Sequence, residues 1–307
     1  MNTESQSIHA PRCWPTWLGC ALLWCVIRLP FAWQLATGRL FGYGIYLFGA
    51  KRRQVTRINI ELCFPELTNH ERRRLVRAHF AALGIAVIEI ALGWWGSKRK
   101  LEKLVTIHGL DNLEKALQEG KGVLLLSAHF TTLEIGGRLL SLYAPFHVLY
   151  RRHKNPVIEF LILKYRTRLY ENAIERGDLR TMIKSLRNNR PVWYAPDQDF
   201  GSDNSIFVPF FGVPAATLTA TSRLAGATGA RVVPFFQARL PGSRGYRLTL
   251  LPALEQFPGT SIETDTRRIV ALIEDRIREA PEQYIWAHRR FKTRPPGEKP
   301  VYKNGAA

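Results

Sequence analysis

From residue 105 onward, short apolar runs alternate with longer amphipathic stretches. VTIHG (105–109) predicts a strand and LDNLEKALQEG (110–120) a helix closed by Gly120. GVLLLSAH (122–129) is a continuous apolar run, the pattern of a strand buried on both faces. Further strands are predicted over 146–151, 191–197, 231–240 and 246–252. Helices are predicted over 156–170, 178–189, 216–229 and 264–281, with Pro156 opening the first and Pro281 closing the last. Such alternation predicts an α/β domain with a mainly parallel central sheet flanked by helices. Upstream, residues 68–95 read as one long helix, with Thr68 and Glu71 spaced as a capping box. Its first turns carry Arg72, Arg73, Arg74 and Arg77. A solvated face and a contact with an anionic surface both fit that run.

The first fifty residues follow another pattern. WPTWLGCALLWCVI (14–27) is apolar apart from one Thr, and Arg28 follows. A spanning helix needs about 20 apolar residues, so this run falls short unless Arg28 snorkels to the headgroups. LPFAWQLA and LFGYGIYLFGA come next, then the basic cluster Lys51, Arg52, Arg53 and Arg57. We read 1–50 as a membrane-anchoring region with an N-terminal anchoring helix, 51–300 as the main domain and 301–307 as a tail. A buried helix of a soluble domain is the competing reading. A cleaved signal peptide is the least supported, because no small-x-small site follows the apolar run. For a spanning anchor, the basic cluster after it keeps the main body cytoplasmic.

Charge sharpens this picture. The 307 residues hold 44 Lys and Arg against 25 Asp and Glu, a net +19, which predicts acidic partners. Eight Trp, ten Tyr and sixteen Phe suit a membrane interface or single-stranded nucleic acid. No nucleic-acid reading motif is recognisable. The four cysteines, Cys13, Cys20, Cys25 and Cys63, lie in the first part of the chain without a C-x-x-C pair, which argues against a disulfide framework or a zinc site. There is no H-E-x-x-H, no G-x-S-x-G elbow and no Walker loop. The reading therefore calls for no metal, nucleotide or other cofactor.

Candidate chemistry gathers at SAHFTTLE (127–134). In open α/β sheets, sites form at the carboxyl ends of strands, and His129 is predicted to sit at one. A neutral imidazole there can take a proton from a hydroxyl, with a carboxylate fixing its tautomer. Glu134 is the candidate carboxylate. Five residues turn a helix through roughly 140°, so His129 should precede the helix and Glu134 should lie in its first turn. A second reading stays open: Thr131 and Glu134 also have capping-box spacing, and His129 could be a satisfied core histidine. Ser127 is a weaker nucleophile candidate, with no third member in view. Lys164, Arg166 and Arg168 close a helix with cations, either as favourable helix-end charge or as an anion clamp. WYAPDQDFG (193–201) follows a strand and puts Asp197 and Asp199 in what reads as a site loop.

Together, NIELCFPEL (59–67), SAHFTTLEIGGR (127–138), WYAPDQDFG (193–201), FVPFFGVPAATL (207–218) and PEQYIWAHRRFKTRP (281–295) resemble the late acyltransferases of lipid A biosynthesis. The resemblance spans nearly the whole chain. The DQD spelling is most like the lauroyl or palmitoleoyl branch. It implies a sandwich similar to the glycerol-phosphate acyltransferases and a membrane-anchored enzyme on the cytoplasmic face of the inner membrane. The implied reaction moves a fatty acyl chain, lauroyl by this likeness, from acyl carrier protein to the hydroxyl of a 3-hydroxyacyl chain on a Kdo-bearing lipid A precursor. By the same likeness His129 is the catalytic base, Glu134 its partner, and Arg166 and Asp197 further required positions, assigned to substrate binding. Three other readings compete: an acyltransferase on a glycerophospholipid precursor, a basic nucleic-acid-binding protein and a non-catalytic membrane scaffold. Chain length depends on an apolar tunnel; Phe160, Leu161 and Phe235 are wall candidates, with core packing the more ordinary job for each.

Overall fold

The computed structural model describes residues 8–302. Three helices lead in: α1 (Trp14–Val26), α2 (Phe31–Phe48) and α3 (Ala50–Cys63). The long predicted helix follows as α4 (Asn69–Trp95). Its capping box forms: Glu71 N–H donates to Thr68 Oγ1 at 3.3 Å, and Thr68 N–H donates to Glu71 Oε2 at 2.8 Å. Two orphan donors of the first turn are thus satisfied within the chain.

Among the described residues, α4 is the one helix long and apolar enough to cross a membrane, which suggests membrane association, and 56% of its most apolar window is buried in the fold. The apolar run at 14–27 was expected to fall short of a span by itself, and it does. At 13 residues, α1 extends only about 20 Å, short of a hydrocarbon core of about 30 Å. α1 and α2 instead lie against the body and leave Trp14, Leu18, Leu22, Trp33, Leu40 and Phe48 exposed.

Glycines set how closely α2 approaches α4. A Cβ on Gly84 would lie 2.2 Å from the carbonyl oxygen of Gly38 and 2.2 Å from the backbone nitrogen of Gly42. Gly38 and Gly42 are four apart on α2, so both backbones meet α4 on one face. Gly84→Leu is therefore expected to destabilise the fold by about 1–3 kcal/mol, the usual cost of overpacking. Limited proteolysis checks this: cleavage between α2 and α4 should speed up, with β-sheet protection less affected.

The main domain is a seven-stranded sheet. In chain order its strands are β1 (Val105–His108), β2 (Val123–Leu126), β3 (His147–Tyr150), β4 (Asn172–Glu175), β5 (Pro191–Tyr194), β8 (Arg231–Arg239) and β9 (Tyr246–Leu250). Between β5 and β8 lies a separate hairpin, β6 (Ser205–Phe210) and β7 (Val213–Leu218). The sheet order is β1-β9-β8-β2-β5-β3-β4. All neighbours are parallel except β8 and β9. The expected α/β architecture with a mainly parallel sheet is therefore present. β2 sits near the middle with all four residues fully buried. Leu124 and Leu126 join the core on one face, Val123 and Leu125 the core on the other, as its unbroken apolar run requires.

The remaining helices are α5 (Lys98–Glu102), α6 (Leu110–Gln118), α7 (Leu133–Leu140), α8 (Pro156–Leu169), α9 (Leu179–Arg187), α10 (Ala220–Thr228) and α11 (Ile262–Glu279). The helix predicted from 216 starts at 220 instead, because Val213–Leu218 pairs with Ser205–Phe210. Of the expected 301–307 tail, Val301 packs against the core and Tyr302 is buried, its hydroxyl donating to Asn59; residues 303–307 lie outside the described residues.

Candidate active site

β2 and β5 are parallel neighbours, with Leu126 opposite Tyr194. Both chains therefore leave the sheet at the same edge. The ladder runs one step further, Ser127 N–H donating to the Tyr194 carbonyl at 2.8 Å. Beyond it, two loops run side by side, one carrying His129 and the other Asp197. Asp197 receives two bonds from the same residue: the backbone N–H of His129 reaches Oδ2 at 3.0 Å, and ring Nδ1 lies 2.7 Å from Oδ1. A carboxylate can only accept, so the Nδ1 proton is held there and Nε2 is left as the basic nitrogen. The Asp197 side chain is 2% exposed and that of His129 28%. Burial alone would raise the Asp197 carboxyl, but the neighbouring His129 and its hydrogen bonds hold it below the ordinary carboxylate range.

This arrangement corrects two expectations. Glu134 was expected to orient the His129 ring; Asp197 occupies that place. Asp197 was expected to bind substrate; it is buried against the imidazole. Glu134 lies in the first turn of α7, as predicted, and forms an ion pair with Arg166 at 2.8 Å. Arg166 also donates to the Leu149 carbonyl at 3.0 Å, which ties α8 to the end of β3. The capping box at 131–134 does not form: the cap is Thr132, and it makes no side-chain cap bond. Ser127 is fully buried, with its hydroxyl near Gln237 at 3.4 Å, away from the imidazole.

His129, Glu134 and Arg166 line one cavity of about 310 Å³. Much of its wall is apolar: Leu133, Val148, Leu149, Tyr170 and Trp193. Helix α7 presses closely on this region, since a Cβ on Gly137 would come within 2.4 Å of the Trp193 ring. The tunnel candidates Phe160, Leu161 and Phe235 are not among the lining residues. Leu161 packs with Cys20 and Tyr165, and Phe235 lies in the core.

A basic imidazole at the wall of an apolar cavity suits acyl transfer to a hydroxyl. Residues 1–293 match the family described as bacterial lipid A biosynthesis acyltransferase. The chain belongs to this family. It is 38% identical to the lipid A biosynthesis lauroyltransferase of Escherichia coli, over 95% of this chain and 96% of that one. The palmitoleoyltransferase of the same organism is 37% identical, over 97% of each chain. The myristoyltransferase is 30% identical, over 97% of this chain and 93% of its own. Among solved structures, the 1-acyl-sn-glycerophosphate acyltransferase of Thermotoga maritima matches 80% of this chain and 96% of its own, at 15% identity and a TM-score of 0.39. That score adds nothing to the fold described above.

The lipid A acyltransferase buttresses its site with the 281–295 segment, whose structural part the local pattern did not reveal. Tyr284 is buried near Asp197, and burial first, then the charge of that carboxylate, push its pKa well above the ordinary phenol. The phenol therefore stays protonated. The segment around Tyr284 is stitched to the His129 loop: Ile285 N–H donates to the His129 carbonyl at 3.0 Å, and Thr131 N–H to the Gln283 carbonyl at 2.7 Å. The second acid of the loop, Asp199, accepts from Thr293 N–H at 2.7 Å and from its hydroxyl at 2.8 Å. Arg290 is buried and donates to the Ala216 carbonyl at 2.6 Å. The HRRFKTRP motif thus clamps the Asp197 loop and the β6–β7 hairpin in place.

His288 belongs to this clamp. Its Nε2 accepts the Asp199 N–H at 3.2 Å. Burial lowers its pKa to about 4 from its ordinary 6.5. Between those values the unfolded chain binds more protons than the folded one, so stability rises with pH. The protein should therefore lose about 1–3 kcal/mol as pH falls through this window. Unfolding midpoints across that range check it; His288→Gln should reduce the dependence and leave the share of His79, whose pKa burial also lowers to about 4.

Proposed function

We propose that this enzyme transfers a lauroyl chain from acyl carrier protein to the hydroxyl of a 3-hydroxyacyl chain on a Kdo-bearing lipid A precursor. One observation carries the reading: His129, held by Asp197 through Nδ1, opens onto an apolar cavity. Nε2 of His129 takes the proton of the acceptor hydroxyl. The hydroxyl oxygen attacks the thioester carbonyl, the carbon–sulfur bond breaks, and the imidazolium returns its proton to the departing thiolate. Asp197 steadies the imidazolium while it lasts. Leu133, Val148, Tyr170 and Trp193 receive apolar chain. Arg166, fixed by Glu134 and Leu149, offers donors on the same wall to the oxyanion that forms. The lauroyl assignment is supported by the similarity to the lauroyltransferase.

Membrane docking fits the same chemistry. The exposed apolar side of α1 and α2 is flanked by Arg28, Arg39, Lys51, Arg52 and Arg53. We read region 1–50 as lying in the cytoplasmic face of the inner membrane, aromatic and aliphatic side chains down and cations at the headgroups. The net +19 of the chain favours an acidic carrier protein and an anionic acceptor alike. The test is competition among acyl carrier proteins charged with chains of graded length, using washed membranes. Lauroyl transfer is expected to dominate. Preference for another chain would reject the lauroyl assignment, and no transfer from any carrier would reject the donor.

A further inference from the structure

Beyond the reacting pair, the cavity has a second polar feature that the mechanism leaves unused. Arg151 and Arg176 both line it. The two sit at adjacent strand ends, Arg151 just after β3 and Arg176 just after β4, and these strands are parallel neighbours. Arg176 is fixed at its backbone, its N–H donating to the Tyr150 carbonyl at 2.7 Å. Its guanidinium lies over the Phe200 ring, 4.1 Å from the centroid. Phe200 belongs to the loop that carries Asp197, so this arginine is braced by the same segment that holds the catalytic imidazole.

The charges do not balance. Arg166 is neutralised by Glu134, and Asp197 is committed to His129. Among the described residues, neither Arg151 nor Arg176 lies within ion-pair distance of a carboxylate; the nearest acidic partner formed at this wall goes to Arg166. Stacking on Phe200 orders the Arg176 fork and leaves its N–H groups free to bind. Two unpaired guanidinium groups at one mouth suit an anion with several oxygens, above all a phosphoryl group, which arginine meets with paired hydrogen bonds.

We propose that Arg176, assisted by Arg151, forms a phosphoryl-binding subsite that holds a phosphate or phosphodiester of one substrate while the chain reaches His129. This rests on the acyl-transfer reading. Two sources share the chemistry: a phosphate on the lipid acceptor and the phosphodiester of the carrier protein's acyl-bearing arm. The role is binding, so the loss should appear in KM and leave kcat within a few-fold.

The experiment measures kcat and KM for donor and acceptor separately, for wild type, Arg176→Ala, Arg176→Lys and Arg151→Ala. Arg176→Ala is expected to raise KM for one substrate about 10-fold or more, the loss of a charge-assisted pair of bonds. Arg176→Lys should fall between, since it keeps the charge but loses the fork. Its backbone bond survives in every variant. An enzymatically dephosphorylated acceptor, and a short-thiol acyl thioester lacking the phosphodiester, then assign the source. Whichever removes the difference between wild type and Arg176→Ala carried the group. Unchanged KM for both substrates, or a difference that persists with both phosphate-free substrates, overturns the subsite while acyl transfer by wild type stands. Wild type inactive with every donor overturns the acyl-transfer reading and the subsite with it.

Discussion

Replacing His129 by alanine is expected to lower the turnover of acyl transfer by about 10²–10⁴-fold, the usual contribution of a positioned general base. The protein should remain folded and membrane-associated, because His129 is partly exposed and its structural bonds run mostly through its backbone. Its N–H to Asp197 and its carbonyl to Ile285 survive the substitution. Substrate KM should change little, since the cavity walls and Arg166 are untouched. Residual transfer should rise with pH as the acceptor hydroxyl or water finds other bases. Initial rates over a range of pH, with both substrates saturating, check this. A fall in turnover matched by an equal loss of folded protein would assign His129 to packing.

Asp197→Asn should come close in effect. The carboxylate accepts from two donors of one residue, His129 N–H and His129 Nδ1–H. A carboxamide brings an NH₂ group to a place built for acceptors only. Either a donor is left facing a donor, or the imidazole turns and carries its proton on Nε2, where it cannot act as base. Turnover should drop by about 10²–10⁴-fold, with the wrong tautomer as the cause. A stability loss of about 1–3 kcal/mol should accompany it, because the unsatisfied groups are buried. Glu134→Gln is the control that separates the two carboxylates. It loosens Arg166 without touching the imidazole, so its loss should be smaller and should leave the pH dependence of turnover unchanged. Equal losses and equal pH profiles for both variants would return the orienting role to Glu134.

The contrast between these carboxylates shows what local pattern can carry. His129 was legible because a buried strand and a helix start meet there, and only one histidine has that setting. The first-turn position of Glu134 followed from helix geometry. The partners of the two side chains did not, because Arg166 reaches Glu134 on α8 from 32 residues away and Asp197 reaches His129 on the loop after β5 from 68. Which loop lies beside which depends on strand order, and the step from β2 to β5 skips β3 and β4. Tyr284 had no local signal at all, since its part is to close the site from the far end of the chain.

The sheet was legible where burial leaves a clear mark. Val123–Leu126 reads as a central strand because both faces are covered. β4 leaves little mark on the sequence: Asn172–Glu175 is short, at the edge and exposed at both ends, so only its two middle residues are apolar. The β6–β7 hairpin hid behind Pro209 and Pro214, residues that usually argue against a paired strand. Here they face each other in the register of a two-stranded ribbon. The membrane-sized span of Asn69–Trp95 was less legible than the apolar run at 14–27, because its helix opens with a basic stretch that dilutes the signal.

The most direct measurement is the mass of the lipid product formed by the wild-type enzyme from lauroyl acyl carrier protein and the Kdo-bearing precursor, with His129→Ala run beside it. The account predicts one added acyl ester on a 3-hydroxyacyl chain with wild type and almost none with the variant. An unchanged precursor with wild type, or an equal gain in mass with both, would contradict it.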